Sequence, residues 1–193
     1  MKLFLIFSLL VPSFAFAQGG ARGVAAPQMS LDLLPLELQM RYEDANDQTR
    51  TNHQYQAYGI GFQYTDFRAE LEYSQFYDAT GNASLKIEQS IKEFNLGLGY
   101  QVYHLADANQ KLSLSGLINL WLGQTQTIID TTLLGAKSTS ESEKENVLGA
   151  GFVVIGRISY FMIETDFKVL NSKNMNPREV PVFALKLGLG IPL

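Results

Sequence analysis

Tyr58-Gly59-Ile60-Gly61-Phe62-Gln63-Tyr64 decides the reading of this chain. One parity of the stretch is Tyr, Ile, Phe, Tyr; the other is Gly, Gly, Gln. A strand sends alternate residues to opposite faces, so one face here is oily with aromatic ends and the other is small and polar. A soluble sheet has no need of glycine on its wet face. A narrow membrane barrel does, because its polar side lines a tight lumen while its apolar side meets lipid.

The same two-residue period returns in seven more segments, eight in all. They fall at about 33–43, 67–77, 90–103, 111–125, 147–160, 161–170 and 181–193, besides 55–65. Leu34, Leu36, Leu38, Met40 and Tyr42 form the apolar parity of the first; Phe94, Leu96, Leu98 and Tyr100 that of the fourth; Phe183, Leu185, Leu187, Leu189, Ile191 and Leu193 that of the last. In the fifth, Leu117 and Trp121 fall on the polar parity and Gly116 on the apolar one. Either a bulge in that strand or a Trp packed in the lumen would account for this. The predicted connections alternate in length. They are short at 65–66, at 104–110 and beside Tyr160-Phe161, and longer at 44–54, 78–89, 126–146 and 171–180.

Residues 1–17 have the form of a secretory signal peptide: Lys2, an apolar stretch from Leu3 to Phe16, and Ala15-Phe16-Ala17 as the cleavage motif. Residues 18–32 are small and turn-rich and read as a flexible lead-in. The barrel is expected over 33–193. No later apolar run approaches the ~20 residues of a spanning helix. There is no cysteine to form a disulfide or carry a lipid. The formal charge of −4 with scattered basic residues leaves no nucleic-acid footprint.

Eight alternating strands fit two architectures: a soluble calyx with its apolar side inside, or a membrane barrel with it outside. Aromatics at the segment ends, apolar spans of about 9–11 residues and glycine on the polar side favour the second. The polar parity then places Glu37, Glu70, Glu72, Glu93, Glu164 and Asp166 in the lumen with Arg41, Arg68, Arg157, Lys168 and Lys186. A lone buried ion costs several kcal/mol, so these charges must pair, and an eight-stranded interior is just filled by its side chains. The expectation is a charge-plugged lumen.

On these residues, 33–193 resembles the small eight-stranded outer-membrane barrels of Gram-negative bacteria, in the style of OmpA's membrane domain and OmpX. The resemblance implies an antiparallel up-and-down barrel in the outer membrane with a structural or surface-interaction role. It implies lipid as its solvent, and periplasmic chaperones and a barrel assembly machinery as biogenesis partners. Lys186, Gly188, Ile191 and Leu193 look like the C-terminal signal that machinery reads, with Pro192 and Leu193 departing from the usual aromatic end. Some barrels resembling this one modify lipids with a Ser, a His and an acid at the outer rim. His53, Asp78 and Ser84 are the residues that could meet there; His104 is expected on a periplasmic turn. No cofactor is expected, and with His53 and His104 as the sole histidines no metal-ligand spacing is found. Segment 126–146 is the most distinctive external feature: Thr and Ile up to Leu134, then polar and charged, the candidate surface for an external partner.

Overall fold

The computed structural model describes residues 29–45, 49–82, 84–107, 111–172 and 179–193, with the side chains of 42–53 excepted. The expected signal peptide and most of the lead-in lie outside them. Nine strands form in chain order: β1 (Met29–Ala45), β2 (Thr49–Tyr64), β3 (Phe67–Gly81), β4 (Leu85–Ala106), β5 (Leu112–Leu133), β6 (Ala136–Glu141), β7 (Glu145–Ile158), β8 (Phe161–Asn171) and β9 (Glu179–Pro192). Eight of them close a ring: β4-β3-β2-β1-β9-β8-β7-β5, with β5 pairing back onto β4. Every ladder is antiparallel. The short β6 pairs with β5 above β7, so it extends the wall without adding to the ring. Closure is what lets strands cross lipid, because no backbone group in the ring is left at an open edge.

The apolar parity faces outward. Phe62, Leu98 and Leu187 are 40, 47 and 42 % exposed, while Asn95, Glu93 and Lys186 on the alternate positions are buried. That facing excludes the calyx. Aromatics ring both ends of the outer wall. Phe67 and Tyr100 pack edge to face at 5.3 Å near the short turns; Phe167 and Phe183 pack at 5.0 Å further up. Tyr and Trp at such levels are interface anchors.

Two features differ from the sequence reading, and one open alternative is decided. β1 begins at Met29, not near 33: Met29–Asp32 pairs with Gly61–Tyr64, and Ser30–Asp32 with Gly190–Pro192. The register of β1 then shifts between Leu33 and Glu37. Pro35 has no N–H to give the ladder, and a bulge absorbs it. Leu34 is thereby turned into the lumen, buried, while Leu36, Leu38 and Met40 face out. In the fifth segment, β5 holds register with β7 from Leu112 to Thr125. The irregularity sits instead in β4, between Gln101 and Tyr103. Leu117 and Trp121 therefore point inward and are fully buried, which resolves their facing in favour of a packed lumen.

The strands also run past the expected ends. β4 and β5 have 22 residues each. At ~3.4 Å per residue and a tilt of ~45° that is a rise of about 50 Å, against ~30 Å of hydrocarbon. Much of the expected loops 78–89 and 126–146 is thus strand, a projecting sheet built from the ends of β3, β4 and β5 with β6. In the reconstituted barrel, Leu98→Arg on the outer wall should lower unfolding free energy by about 2–4 kcal/mol, the cost of a cation near the membrane midplane. Urea titration in lipid vesicles measures this.

Candidate functional site

The lumen is assembled by alternation. Once the ring closes, each strand contributes every second side chain, and all eleven charged residues expected in the network lie on the inner face. The wall has two halves. β1, β3, β8 and β9 carry most of the ionic groups, with Glu93 added from β4 and Arg157 from β7. β5 and β7 contribute Leu117, Trp121, Val147, Val153 and Ile155, which cluster with Leu34, Met162, Leu170, Val180 and Val182 in two apolar groups. Sequence parity alone missed this apolar share; the buried Trp on a polar parity was its one visible sign. Gly97 on β4 stands opposite Trp121. A Cβ there would lie 2.5 Å from the indole, so only glycine leaves room for that ring.

Toward the outer end, Arg41 grips Glu93 in a two-pronged fork, Nη1 to Oε2 at 2.7 Å and Nη2 to Oε1 at 2.9 Å. Nη2 also donates to Gln39 Oε1 at 3.0 Å and Ser74 Oγ at 3.2 Å, and the guanidinium lies 3.8 Å above the Tyr55 ring. A planar fork with flanking acceptors is the arrangement guanidinium suits best. In the middle, Lys168 Nζ donates to both oxygens of Glu72 at 2.9 Å. Lys186 Nζ is 2.8 Å from Asp166, 3.1 Å from Glu164, 3.3 Å from Glu72 and 3.8 Å from Glu37, and bonds Glu70. Both ammoniums sit over Trp121, at 4.2 and 5.1 Å from its ring centre. Toward the end with the short turns, Arg68 reaches Glu164 at 2.6 Å, Glu70 at 3.0 Å and Asp32 at 3.5 Å. Arg157 holds both oxygens of Asp32 at 2.8 and 2.9 Å. Asp32 is a lumen acid that the sequence reading assigned to the lead-in; its strand alternation is masked there by the Pro35 bulge.

The rim residues do not assemble a catalytic triad among the described residues. The carboxylate of Asp78 accepts from the Ala79 N–H at 2.9 Å. Ser84 lies in the β3–β4 turn, its N–H donating to Asn82 Oδ1 at 2.9 Å. The ring of His53 is outside the described side chains. His104 is on β4, not on a turn, with Nδ1 2.9 Å from Ser115 Oγ. Of the C-terminal signal residues, Lys186 is in the lumen, while Ile191 and Leu193 are exposed.

On the projecting sheet the face polarity inverts. Below Glu93 the outer face of β4 is Phe94, Leu96, Leu98. Above it the outer face is Lys92, Ser90, Glu88 and Lys86, and the inner face is Ile91, Gln89, Ile87 and Leu85. β5 follows suit, with Asp130 and Thr132 outside and Ile129 and Leu133 inside, in register with β4. The outer face is knitted by ion pairs: Lys86–Glu88 at 2.8 Å and Lys137–Asp130 at 3.0 Å. The Thr139 hydroxyl and the Lys137 ammonium hold Asp130 below its ordinary range. Lys86 and the Tyr77 hydroxyl do the same for Glu88. At the tip, β5 turns into β6 through Leu134 (φ 48°) and Gly135 (φ 86°), and Leu134 is 81 % exposed.

A closed antiparallel ring with an oily outer wall, aromatic ends and an ion-paired lumen is a transmembrane β-barrel, eight strands around, of the class that occupies bacterial outer membranes. Solved structures bear out the fold. The chain is similar to Ail, the attachment invasion locus protein of Yersinia pestis, solved with the heparin analogue sucrose octasulfate, at 14 % identity, covering 86 % of this chain and 100 % of that one with a TM-score of 0.55. It is similar also to Neisserial surface protein A, at 12 % identity, covering 88 % of this chain and 98 % of that one with a TM-score of 0.55. No protein-family model and no curated protein sequence matches.

Removing one partner of a buried pair strands the other charge, at about 3–5 kcal/mol, whereas removing both can be nearly neutral. Arg41→Leu should therefore destabilise the barrel by that amount, and Arg41→Leu with Glu93→Leu should recover most of it. Denaturant midpoints of the parent and the two variants measure the loss and its recovery.

Proposed function

We propose that this barrel is a non-catalytic surface protein that contacts an external partner through its projecting sheet, above a lumen plugged by paired charges. The observation that carries the reading is the tip. A two-residue hairpin turn with both φ positive favours Asn-Gly or Asp-Gly. Here Leu134 takes the first place, in a region where an L side chain costs roughly 1–2 kcal/mol, and its apolar side chain is held in water. Strain and exposed oil at one residue are a cost without return inside the molecule, and such positions cluster at functional sites. Leu133 and Leu85, opposite each other on the inner face and 55 and 40 % exposed, enlarge the apolar end.

The chemistry suits an apolar patch on a protein or lipid surface more than a polyanion. Lys86, Lys92, Lys137 and Lys144 on the projecting part are matched by Asp78, Glu88, Asp130, Glu141 and Glu143, and two of the lysines are already paired. The sulfated ligand seen on Ail therefore has no basic surface here to receive it, among the described residues. The plug rests on the ion pairs spanning the lumen and on the width of eight strands. Recognition by chaperones and the assembly machinery rests on the C-terminal pattern, whose exposed members are Ile191 and Leu193.

Leu134→Asn creates the favoured turn. It should leave unfolding free energy unchanged or higher, while cells displaying the variant lose most of their attachment to a host-cell or abiotic apolar surface relative to the parent. Unchanged attachment would remove the tip from the reading. In planar bilayers the purified barrel should give no steady open level; a large constant conductance would refute the plug.

A further inference from the structure

The projecting sheet ends in an open edge. β6 pairs with β5 on one side. Among the described residues no strand pairs with its other side, and all six of its residues are exposed. An unpaired edge is a template for another strand unless its side chains forbid one. The phase of the β5–β6 hairpin fixes which groups this edge offers. Leu133 and Ala136 close the two-residue turn at Leu134-Gly135, and the closing pair of such a hairpin exchanges hydrogen bonds. Every second pair below it does the same: Thr131 with Ser138, and Ile129 with Ser140. Just past the strand the Ser142 N–H donates to the Thr127 carbonyl at 2.8 Å, in the same phase. The intervening residues, Lys137, Thr139 and Glu141, therefore turn their N–H and C=O groups away from β5 and toward the open edge. Their side chains share the outer face with Thr132, Asp130 and Ile128, their partners on β5.

This edge is complementary to itself. Set Thr139 of one copy opposite Thr139 of another, antiparallel. Lys137 of each copy then falls opposite Glu141 of the other, outer face beside outer face. All of these are pairs that exchange two N–H···O bonds, so the free groups of the edge are satisfied together. Opposite charges directly across a ladder stabilise it, and like charges destabilise it. An edge of lysines alone would repel its own copy, which is the usual protection; the order cation, hydroxyl, anion does the reverse. Lys137 already meets Asp130 at 3.0 Å, but an ammonium has three donors. Glu141 accepts from Gln126 at 3.2 Å through Oε2, and a carboxylate has a second oxygen to offer.

We propose that β6 of one barrel pairs with β6 of a second copy held in a facing membrane. The two-fold axis relating two such strands is perpendicular to the sheet. The sheet continues the barrel wall upward, so its perpendicular lies in the plane of the membrane. Rotation about that axis turns one barrel upside down relative to the other. Copies in one membrane are never so related, and copies in two opposed membranes are. The contact is isologous strand addition. Thr139 stands across from Asp130, and Thr125 is where β5 last pairs with β7 at the rim. The rise from 125 to 130 is ~12 Å at the usual strand rise and tilt, so the two rims should lie about 25 Å apart. One short edge is a weak contact, and many copies acting between two surfaces make it hold. This inference rests on the projecting sheet being an external contact surface, and it assigns the edge a role separate from that of the tip.

The test uses the whole barrel inserted into phosphatidylcholine vesicles from the outside, with clustering followed by turbidity and by electron cryomicroscopy. Barrel-bearing vesicles should cluster and leave added bare vesicles apart. Thr139→Pro removes an edge N–H that β5 does not use and should abolish clustering. Lys137→Glu and Glu141→Lys each give the edge a single sign. Vesicles of either variant alone should lose clustering, and the two kinds mixed should cluster with each other. The shifted mobility of an unheated gel sample checks that every variant is folded. Leu134→Asn should cluster as the parent does, while attachment of the same vesicles to an apolar surface reads the tip separately. The gap between clustered membranes should be about 25 Å, whereas contact tip to tip would give about 40 Å. A parent that does not cluster, a Thr139→Pro variant that does, either single-sign variant clustering alone as the parent does, or a mixture of the two that stays dispersed would overturn the proposal. So would loss of clustering in Leu134→Asn, which would move the contact to the tip.

Discussion

Closure of the hydrogen-bonded ring governs everything else in this molecule. In hydrocarbon an unpaired N–H or C=O has no substitute partner, so β1 must meet β9 and β4 must meet β5 before the chain can live in lipid. The ring fixes which side of each strand is inside. It sets a diameter that side chains just fill. It also forces acids and bases from distant parts of the sequence into one column, where each must find a counter-charge. Irregularities are admitted only where the ladder can absorb them, at Pro35 and beside Val102.

Two kinds of interior share that column. On one side, charged groups are arranged in layers from Arg41 down to Asp32. On the other, Trp121, Leu117 and the inward Val147, Val153 and Ile155 of β7 pack as in an ordinary core. Buried ion pairs are weak evidence of stability, because desolvation offsets much of their attraction. What they do supply here is register: a one-residue slip of any strand would move its charges into lipid. The apolar half, with Trp121 fitted over Gly97, supplies the tight packing that ion pairs do not.

Much of this was legible in the chain. The two-residue period in 58–64, 94–100 and 183–193 is a direct imprint of a pleated wall between two unlike media, and the eleven charges on its polar parity lie on the inner face, where Asp32 joins them. What escaped had physical causes. Alternation assigns parity, and a bulge flips parity without leaving a strong mark, so Leu34 and Asp32 were misplaced on the strength of one proline. Loop length was overestimated at 78–89 and 126–146 because the polarity of the two faces reverses above Glu93, and a strand whose pattern inverts reads as irregular. The grouping of Glu37, Glu72 and Asp166 depends on which strands become neighbours around the ring, information that spacing along the chain does not contain.

The meeting of β1 with β9 carries a consequence for the order of events during biogenesis. Lys186 emerges from the ribosome after Glu37, Glu70, Glu72, Glu164 and Asp166, and sits on the strand that seals the seam. In the closed ring its ammonium reaches all five of them. The strand that completes the wall is thus also the one that brings their shared counter-charge, and it acts as both latch and counter-ion.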